Sequence, residues 1–250
     1  MVSSGRPPSR KIRAYDLVAP QYDAMMEHIV GAEALRERLV WATEVVEQGN
    51  RVLDLGCGSG RLLARLGETV GEGGSAVGAD LSGAMLEQSR AQTRDVASRT
   101  SLVQIDVADA LPFASDSFDC VCAFAILQEV ATPRGLLEEI HRVTKPGGAF
   151  RGIATTYRVL NPAAEIHMAV SEAVEVYIRP HNMVASMFLQ IFGPAAATRW
   201  EPNPLLTDPE AWDRFPPLPP KEILQRVREA GHDPTTIELG ALMMTGRRLP

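Results

Sequence analysis

The chain is poor in the features that mark secreted and membrane-spanning proteins. Only three cysteines occur in 250 residues, Cys57, Cys120 and Cys122, and none forms a C-x-x-C pair. Because their flanks are apolar and strand-like, we expect reduced, packed thiols rather than disulfides or metal ligands. No apolar run approaches the roughly 18 residues that cross a bilayer, and the basic residues 1–13 lack the apolar stretch of a secretory signal. These absences predict a cytoplasmic protein that does not enter a membrane.

Positive charge is also scarce, with 25 Lys and Arg against 31 Asp and Glu and a formal net charge of −6. Nucleic acids and anionic membranes bind basic surfaces, so neither is predicted as a partner. No His, Asp and Glu cluster has metal-ligand spacing, so no metal is predicted. The 45% hydrophobic content is enough for one large domain with a core. The composition does not indicate an oligomeric state.

Short apolar runs alternate with amphipathic helical patterns over the first two thirds of the chain. Strands are predicted at 51–55, 76–80, 101–106, 118–125 and 149–156. Helices are predicted at 61–68, at 83–98 and just before Lys145-Pro146. This alternation predicts a parallel sheet with helices on both faces.

The alternation breaks at residues 158–219, which contain nine prolines and two helix-like stretches. It resumes with a helix at 220–231, and residues 235–240 and 241–248 are predicted to form an antiparallel strand pair. We interpret 158–219 as a helical insertion. The alternative is a separate domain, but about 60 residues are few for an independent core.

A glycine-rich turn, Asp54-Leu-Gly56-Cys57-Gly58-Ser-Gly60, directly follows the first predicted strand. Glycines there let the backbone bend sharply and approach a ligand closely, although a plain turn is the alternative. The spacing is G-x-G-x-G and not the G-x-G-x-x-G of dinucleotide sites. An acid just before the turn suits a cationic or amine-bearing ligand better than a diphosphate. S-adenosylmethionine (SAM) carries both a sulfonium and an ammonium group.

Two further acids end the next predicted strands, at the sheet edge where open α/β folds bind ligands. The carboxylate of Asp80 suits a ribose diol, and that of Asp106 suits an adenine amine, with the Val107 N–H donating to the ring. Leu81 and Met85 are candidate apolar walls for the base. The alternatives are a helix N-cap for Asp80 and a turn cap for Asp106.

Four segments resemble the successive motifs of class I SAM-dependent methyltransferases: VLDLGCGSG, VGADLSGAMLEQSR, IDVADALPFASDSFDCV and EIHRVTKPGG. The most similar subgroup contains quinone-biosynthesis C-methyltransferases and natural-product tailoring enzymes. The resemblance covers about residues 15–157 and, more loosely, 220–248. It implies an α/β, Rossmann-like, seven-stranded and mostly parallel sheet with helices on both faces and a helical lid insertion. The implied domains are an N-terminal segment over the cofactor (1–32), a SAM-binding core (33–157 and 220–250) and a lid (158–219).

The resemblance also implies where SAM binds. The matching positions place the methionine part at the glycine turn and the ribose and adenine near the second and third acids. Tyr22, in a segment that resembles an element folding over the cofactor, is a candidate for the SAM carboxylate or else a packed aromatic. The implied cofactor-binding residues are Tyr22, Asp54, Gly56, Cys57, Gly58, Gly60, Asp80, Leu81, Met85, Asp106, Val107, Ala123 and Phe124.

The sequence departs from the family where many relatives carry paired histidines after the fourth strand. Gln128 and Glu129 stand there instead, which puts a histidine base at that point in doubt. Glu129 and His181 are the candidate acid–base residues. The alternatives are a structural ion pair for Glu129 and a capping turn for the segment around His181.

These features predict methyl transfer from SAM to a small, largely apolar metabolite, by C- or O-methylation, in secondary metabolism. The small molecule is the predicted partner, and catalysis is expected to depend mainly on positioning. A non-methylating SAM-binding enzyme that catalyses a rearrangement or cyclisation on the same fold is the alternative.

Overall fold

The computed structural model describes residues 10–159, 179–203 and 237–249. Five parallel strands arise from the five predicted apolar runs and lie in the order β3-β2-β1-β4-β5. Their bounds are β1 Arg51–Leu55, β2 Ser75–Asp80, β3 Thr100–Gln104, β4 Phe118–Phe124 and β5 Thr144–Val159. Consecutive strands pair in parallel, so the carboxyl ends of β1, β2 and β4 meet at one edge.

The C-terminal strands complete the sheet. Strand β6 (Arg179–Pro180) is a short addition beside β5, and β7 (Ala197–Pro202) lies at the outer edge. Strand β8 (Ile237–Arg247) runs antiparallel between β5 and β7. The main path therefore has seven strands of which only β8 is antiparallel, as predicted. The predicted strand pair at 235–240 and 241–248 is wrong, because β8 keeps one unbroken register with β5 from Ile237 to Arg247.

Helices cover both faces of the sheet. They are α1 Arg10–Val18, α2 Tyr22–Val30, α3 Ala32–Thr43, α4 Arg61–Val70, α5 Gly83–Gln92, α6 Pro133–Val143 and α7 His181–Phe192. The helix predicted at 83–98 ends at Gln92, and a 3-10 turn at Arg94–Val96 follows it. Apolar side chains of α3 and α4 pack on one face, and those of α6 and α7 pack on the other.

Part of the predicted insertion belongs to the core. Phe188 and Phe192 of α7 are buried against Phe150 of β5, with ring centroids 5.5 and 5.2 Å from it. Strand β7 is likewise a member of the sheet rather than of a lid. Within 158–219 the structure describes only residues 158–159 and 179–203, so the lid stays a prediction. In the described part of the chain, no helix is long and apolar enough to cross a membrane.

Candidate functional site

A cavity opens at the carboxyl ends of β1, β2 and β4. It holds about 710 Å³ of empty volume, part of it open to solvent. Its wall combines a glycine turn, three acids, two tyrosines and several apolar side chains. The lining residues are Tyr15, Tyr22, Gly56, Gly58, Asp80, Leu81, Ser82, Met85, Ile105, Asp106, Val107, Phe124, Ala125, Ile126 and Glu129.

The glycine turn is fixed by backbone conformation and by close packing. Gly56, Gly58 and Gly60 have φ angles of 70°, 52° and 90°, which side-chain-bearing residues rarely adopt. The Gly56 N–H donates to the Ala79 carbonyl of β2 at 2.7 Å. A Cβ atom on Gly60 would lie 2.8 Å from the Cα atom of Ser89 in α5. The turn therefore needs glycine for its shape and for its contact with α5.

Asp80 joins the glycine turn to the start of α5. Its carboxylate accepts hydrogen bonds from the Gly58 N–H and the Ser82 N–H, both at 2.9 Å. The N-cap of α5 is Ser82, whose hydroxyl accepts from the Met85 N–H at 3.1 Å. Burial raises the pKa of Asp80 despite these donors. Asp80 is thus a cavity-wall carboxylate and not the helix cap.

Asp54 lies at the end of β1, just before the turn, and is 2% exposed. Its Oδ2 atom is buried and has no hydrogen-bond partner among the described residues. Burial, with the negative charge of Asp80 as a smaller cause, raises the pKa of Asp54 to about 7. A buried carboxylate oxygen without a partner costs free energy unless a donor or a cation satisfies it. The site therefore fits a ligand with a positive charge.

The third acid, Asp106, also lines the cavity. Asp106 follows β3, and its Oδ1 accepts from the Ala108 N–H at 2.9 Å, so it closes a turn as well as lining the cavity. Leu81, Met85 and Val107 supply apolar surface beside it. This part of the wall therefore combines one carboxylate with apolar surface, as small-molecule sites commonly do.

The N-terminal residues 10–30, which we call the strap, close one side of the cavity. Tyr15 and Tyr22 line it and contact each other edge to face, with ring centroids 6.4 Å apart. Tyr15 Oη donates to Glu129 Oε1 at 3.0 Å, and Ser82 Oγ donates to Asp16 Oδ1 at 2.5 Å. Polar contacts thus join the strap to two separate segments of the core.

The strap is also attached at the glycine turn and at the start of α4. Ser59 Oγ donates to Asp23 Oδ1 at 2.5 Å. Arg61, the first residue of α4, forms ion pairs with Asp23 at 2.9 Å and Glu27 at 2.6 Å. The sequence just after the glycines therefore holds α2 in place over the cavity.

Gln128 and Glu129 have different surroundings after β4. Gln128 is 8% exposed and faces β5, where its Oε1 accepts from the Thr155 N–H at 3.3 Å. Glu129 lines the cavity. Between β4 and these residues, Ala125 has a φ of 53°, a strained value for a non-glycine residue. The strained turn brings Glu129, and not Gln128, to the cavity wall.

His181 lies elsewhere. It begins α7, its ring is 5.4 Å from that of Trp200, and it lines an open groove with Asn182 and Leu189. It is not among the described residues that line the cavity. Its predicted acid–base role is not supported by this placement and stays a prediction.

Comparison with known proteins agrees with the architecture of the site. Residues 53–151, which run from β1 to β5, match a family model described as a methyltransferase domain. This segment, 99 of the chain's 250 residues, therefore resembles the SAM-dependent methyltransferases. A relative is the ubiquinone/menaquinone biosynthesis C-methyltransferase UbiE of Proteus mirabilis (strain HI4320), 34% identical over 162 residues. The alignment covers 64% of this chain and 64% of the relative, so this chain matches less than two thirds of the relative's length.

Solved structures share the fold of this chain. The [4+2]-cyclase SpnF has a TM-score of 0.68 at 18% identity, with 99% of this chain and 100% of that chain covered. Phosphoethanolamine N-methyltransferase 2 of Haemonchus contortus, solved with S-adenosyl-L-methionine, has a TM-score of 0.64 at 17% identity. The match covers 94% of this chain and 57% of that one. At these identities the likeness is one of fold alone.

Most of the predicted cofactor residues meet at the cavity, although their roles stay predictions. Those on its wall are Tyr22, Gly56, Gly58, Asp80, Leu81, Met85, Asp106, Val107 and Phe124. The other four, Asp54, Cys57, Gly60 and Ala123, are buried and are not among the lining residues. All three cysteines of the chain are buried free thiols, and burial raises the pKa of Cys57. Among the described residues, no group of three His, Cys, Asp or Glu side chains suits a metal ion.

Sequence reasoning assigned no role to several wall residues. Tyr15 was part of the recognised strap segment, but a tyrosine pattern does not reveal a bond to a residue 114 positions away. Ala125 and Ile126 follow β4 at the same sheet edge where the glycine turn follows β1. Their position after a predicted strand was the available signal, since ligands bind at carboxyl ends of parallel strands.

Proposed function

We propose that this chain transfers a methyl group from SAM to a small, largely apolar metabolite, with carbon or oxygen as the methylated atom. The observation that carries the proposal is the buried Oδ2 atom of Asp54, which has no hydrogen-bond partner among the described residues. Asp54 directly precedes the glycine turn, in which the Gly58 N–H donates to Asp80. A cationic ligand with a hydroxyl-bearing sugar satisfies both carboxylates. SAM has these groups, and S-adenosylhomocysteine (SAH) shares them except for the sulfonium charge.

The chain's own residues define where each part of the cofactor is held. Asp54 and the glycine turn take the amino-acid part, with Tyr22 near its carboxylate. Asp80 takes the ribose hydroxyls, in exchange for or beside its bond from the Gly58 N–H. Asp106 and its apolar neighbours take the adenine. SAM supplies a methyl group activated by a positively charged sulfur, which is the hard part of the chemistry.

The protein contributes orientation and a dry cavity. The strap closes the cavity from one side, and Phe124 and Ile126 present apolar surface beside the turn. Holding two reactants in line is worth up to about 7–11 kcal/mol, whereas a positioned base typically adds 10²–10⁴-fold. For an acceptor that loses a proton on methylation, Glu129 is the lining carboxylate that is not assigned to the cofactor, and it is our candidate to accept that proton. Catalysis therefore depends mainly on positioning, with Glu129 assisting.

Two observations favour a small acceptor. The chain carries a net charge of −6, which disfavours nucleic acids as substrates. The strap closes one side of the cavity, so the site is a pocket rather than a broad surface. The Proteus mirabilis relative bears the name of a quinone-biosynthesis C-methyltransferase. This relationship supports an aromatic or polyketide-like acceptor with an activated carbon or a hydroxyl group.

A non-methylating reaction is the second candidate. The fold of the chain matches that of a [4+2]-cyclase over 99% of its length. A cavity that orients an apolar substrate beside a bound cofactor serves a cyclisation as well as a methyl transfer. The two functions differ in whether SAM is consumed.

Calorimetric titration with SAH and SAM tests the cofactor site. We expect both to bind, and Asp80→Ala to weaken binding about 10–100-fold, because a hydrogen bond to a charged group is worth about 1.5–3 kcal/mol. Asp95→Ala is the matched control, since Asp95 is exposed in the 3-10 turn after α5. Unchanged affinity in Asp80→Ala would refute the ribose assignment, and absence of binding to the unmodified protein would refute the proposal.

Mass spectrometry of reactions with phenols, polyketides and isoprenoids tests the chemistry. Methyl transfer predicts SAH and a product one methylene heavier than its substrate in equal amounts. A product of unchanged mass, formed while SAM is preserved, would favour the cyclisation or rearrangement instead.

A further inference from the structure

The described wall of the cavity is acidic. Asp80, Asp106 and Glu129 all line it, and its described members include no Lys, Arg or His. The carboxyl of Asp54 lies close enough to Asp80 for the two to affect each other's charge. Inside a cavity of low dielectric constant, each of these carboxylates disfavours another anion far more strongly than it would in water.

Glu129 is held in place by Tyr15. The distance from Tyr15 Oη to Glu129 Oε1 is 3.0 Å, and both residues line the cavity. Burial, followed by the charge of Glu129, raises the pKa of Tyr15 well above its ordinary value. The phenol therefore keeps its proton at neutral pH and donates a hydrogen bond to the carboxylate. Because Tyr15 belongs to the strap, this bond forms only when the strap is docked.

Neighbours of the Tyr15–Glu129 pair contact the glycine turn. The side chain of Ile126, three residues before Glu129, lies 2.9 Å from where a Cβ atom of Gly56 would stand. The ring of Tyr22 similarly lies 3.7 Å from the Cβ position of Gly58. The pair is thus next to the part of the cavity assigned to the cofactor, where an acceptor must also lie.

We infer that Tyr15 and Glu129 form an acceptor subsite that selects molecules which donate a hydrogen bond and carry no negative charge. Phenols, enols and amines meet this requirement, and carboxylates and phosphate esters do not. Glu129 accepts the donor's hydrogen bond, and Tyr15 is the positioning residue that orients the carboxylate. The inference rests on the proposed function, since an acceptor subsite requires a bound cofactor beside it.

Three probes that share one ring system separate the two parts of the inference. They are 2-naphthol, 2-naphthoate and 2-methoxynaphthalene, titrated calorimetrically into protein saturated with SAH. We expect 2-naphthol to bind at least about tenfold more tightly than the other two. Naphthoate tests charge rejection, and the methoxy compound tests the need for a donor.

Variants assign the selectivity to the named residues. In Glu129→Gln, we expect the affinities for naphthol and naphthoate to lie within about threefold of each other. The matched control Glu87→Gln, on the exposed face of α5, should keep the affinity ratio of the unmodified protein. Tyr15→Phe is expected to weaken naphthol about 3–10-fold and to leave methoxynaphthalene unchanged. Loss of packing alone would weaken both probes equally. Tyr22→Phe should instead change SAH affinity and spare the probe ratio.

The outcomes are distinguishable. Binding of naphthoate as tight as that of naphthol overturns the inference, as does the absence of naphthol binding at millimolar concentration to the SAH complex. An equal effect of Tyr15→Phe on naphthol and methoxynaphthalene overturns the positioning role. Failure of the unmodified protein to bind SAH contradicts the proposed function itself, before any probe is added.

Discussion

The two sides of the cavity are held in place by different forces. The strand-end side is part of the sheet: the turn bonds to β2 through the Ala79 carbonyl, and Gly60 packs directly on the backbone of α5. The strap side has one small buried apolar contact, Val18 and Ala19 against Met85. It is otherwise held by polar contacts at Asp16, Asp23 and Glu27, several of them partly exposed. Close packing inside a core is sensitive to every added atom, whereas partly exposed polar contacts are individually weak.

This difference predicts separate consequences for mutations on each side. A change at the strand ends should reduce both folding stability and cofactor binding, because the same contacts serve both. A change in the strap should mainly affect how tightly the cavity is closed. Substitutions with matched controls on each side can break or sharpen this contrast.

The largest effect is expected for Gly60→Ala. Alanine at φ 90° is strained, and its Cβ atom would meet the Cα atom of Ser89 at 2.8 Å. Left-handed strain and overpacking together predict a loss of about 2–4 kcal/mol in the free energy of unfolding. Gly73→Ala is the control, since Gly73 has the same φ but nothing lies within 4 Å of its Cβ position. We expect about 1 kcal/mol there, measured by denaturant unfolding.

Equal losses for Gly60→Ala and Gly73→Ala would show that strain alone matters and that packing of the turn on α5 does not. SAH affinity should fall with Gly60→Ala and stay unchanged with Gly73→Ala. Such a result would tie cofactor binding to the same contact that stabilises the fold.

The strand-end side is also the part that the sequence could predict. The order of acid, glycine turn and second acid is local, since β1, α4 and β2 are consecutive in the chain and each is set by its own apolar pattern. The carboxyl ends of such strands meet at one edge whatever the details of packing. The positions of Asp54, Asp80 and Asp106 relative to the strands followed from these rules.

The C-terminal strands and the strap could not be predicted in the same way. Residues 197–202 have a pattern, Ala-Thr-Arg-Trp-Glu-Pro, that carries no strong strand signal, and they join the sheet because β8 offers an edge. The 11-residue β8 crosses the boundary between the two strands predicted at 235–240 and 241–248, where Gly240 stands. Pairing with β5 overrides that local preference, as tertiary context often does. The Tyr15–Glu129 bond depends on the same kind of long-range contact.

The second prediction concerns the charge of Asp54. Its pKa is about 7 in the folded protein, against 3.8 ordinarily, so the folded state holds a proton between these values that the unfolded state has lost. Stability without cofactor should therefore fall as pH rises from about 4 to about 7 and stay level above 7. Asp54→Asn should remove this slope and stabilise the cofactor-free protein at pH 8 by on the order of 1–3 kcal/mol.

Cofactor binding should respond to Asp54 in the opposite sense. A cationic ammonium group favours the ionised carboxylate, so SAH affinity should weaken as pH falls below about 7, by at most tenfold for each pH unit. Asp54→Asn should weaken SAH binding at pH 8 and abolish this pH dependence. An affinity that is flat from pH 5.5 to 7.5 in the unmodified protein would contradict a cation at Asp54.

The smallest effect on folding is expected where α4 holds the strap, from Arg61→Ala. Arg61 pairs with Asp23 and Glu27 and is 31% exposed, so its loss should change the free energy of unfolding by less than about 1 kcal/mol. Arg65→Ala is the matched control one turn along α4, where the Arg65–Glu68 pair is more exposed and does not touch the strap. Both variants should unfold almost like the parent protein.

Only Arg61→Ala should release SAH faster, by about 3–10-fold in stopped-flow dissociation, because it loosens α2 over the cavity. Salt should reduce the difference between the variants, since it screens the ion pairs of the parent. If Arg65→Ala releases SAH as fast as Arg61→Ala, the strap is not held through Arg61, and the contrast between the two sides of the cavity fails.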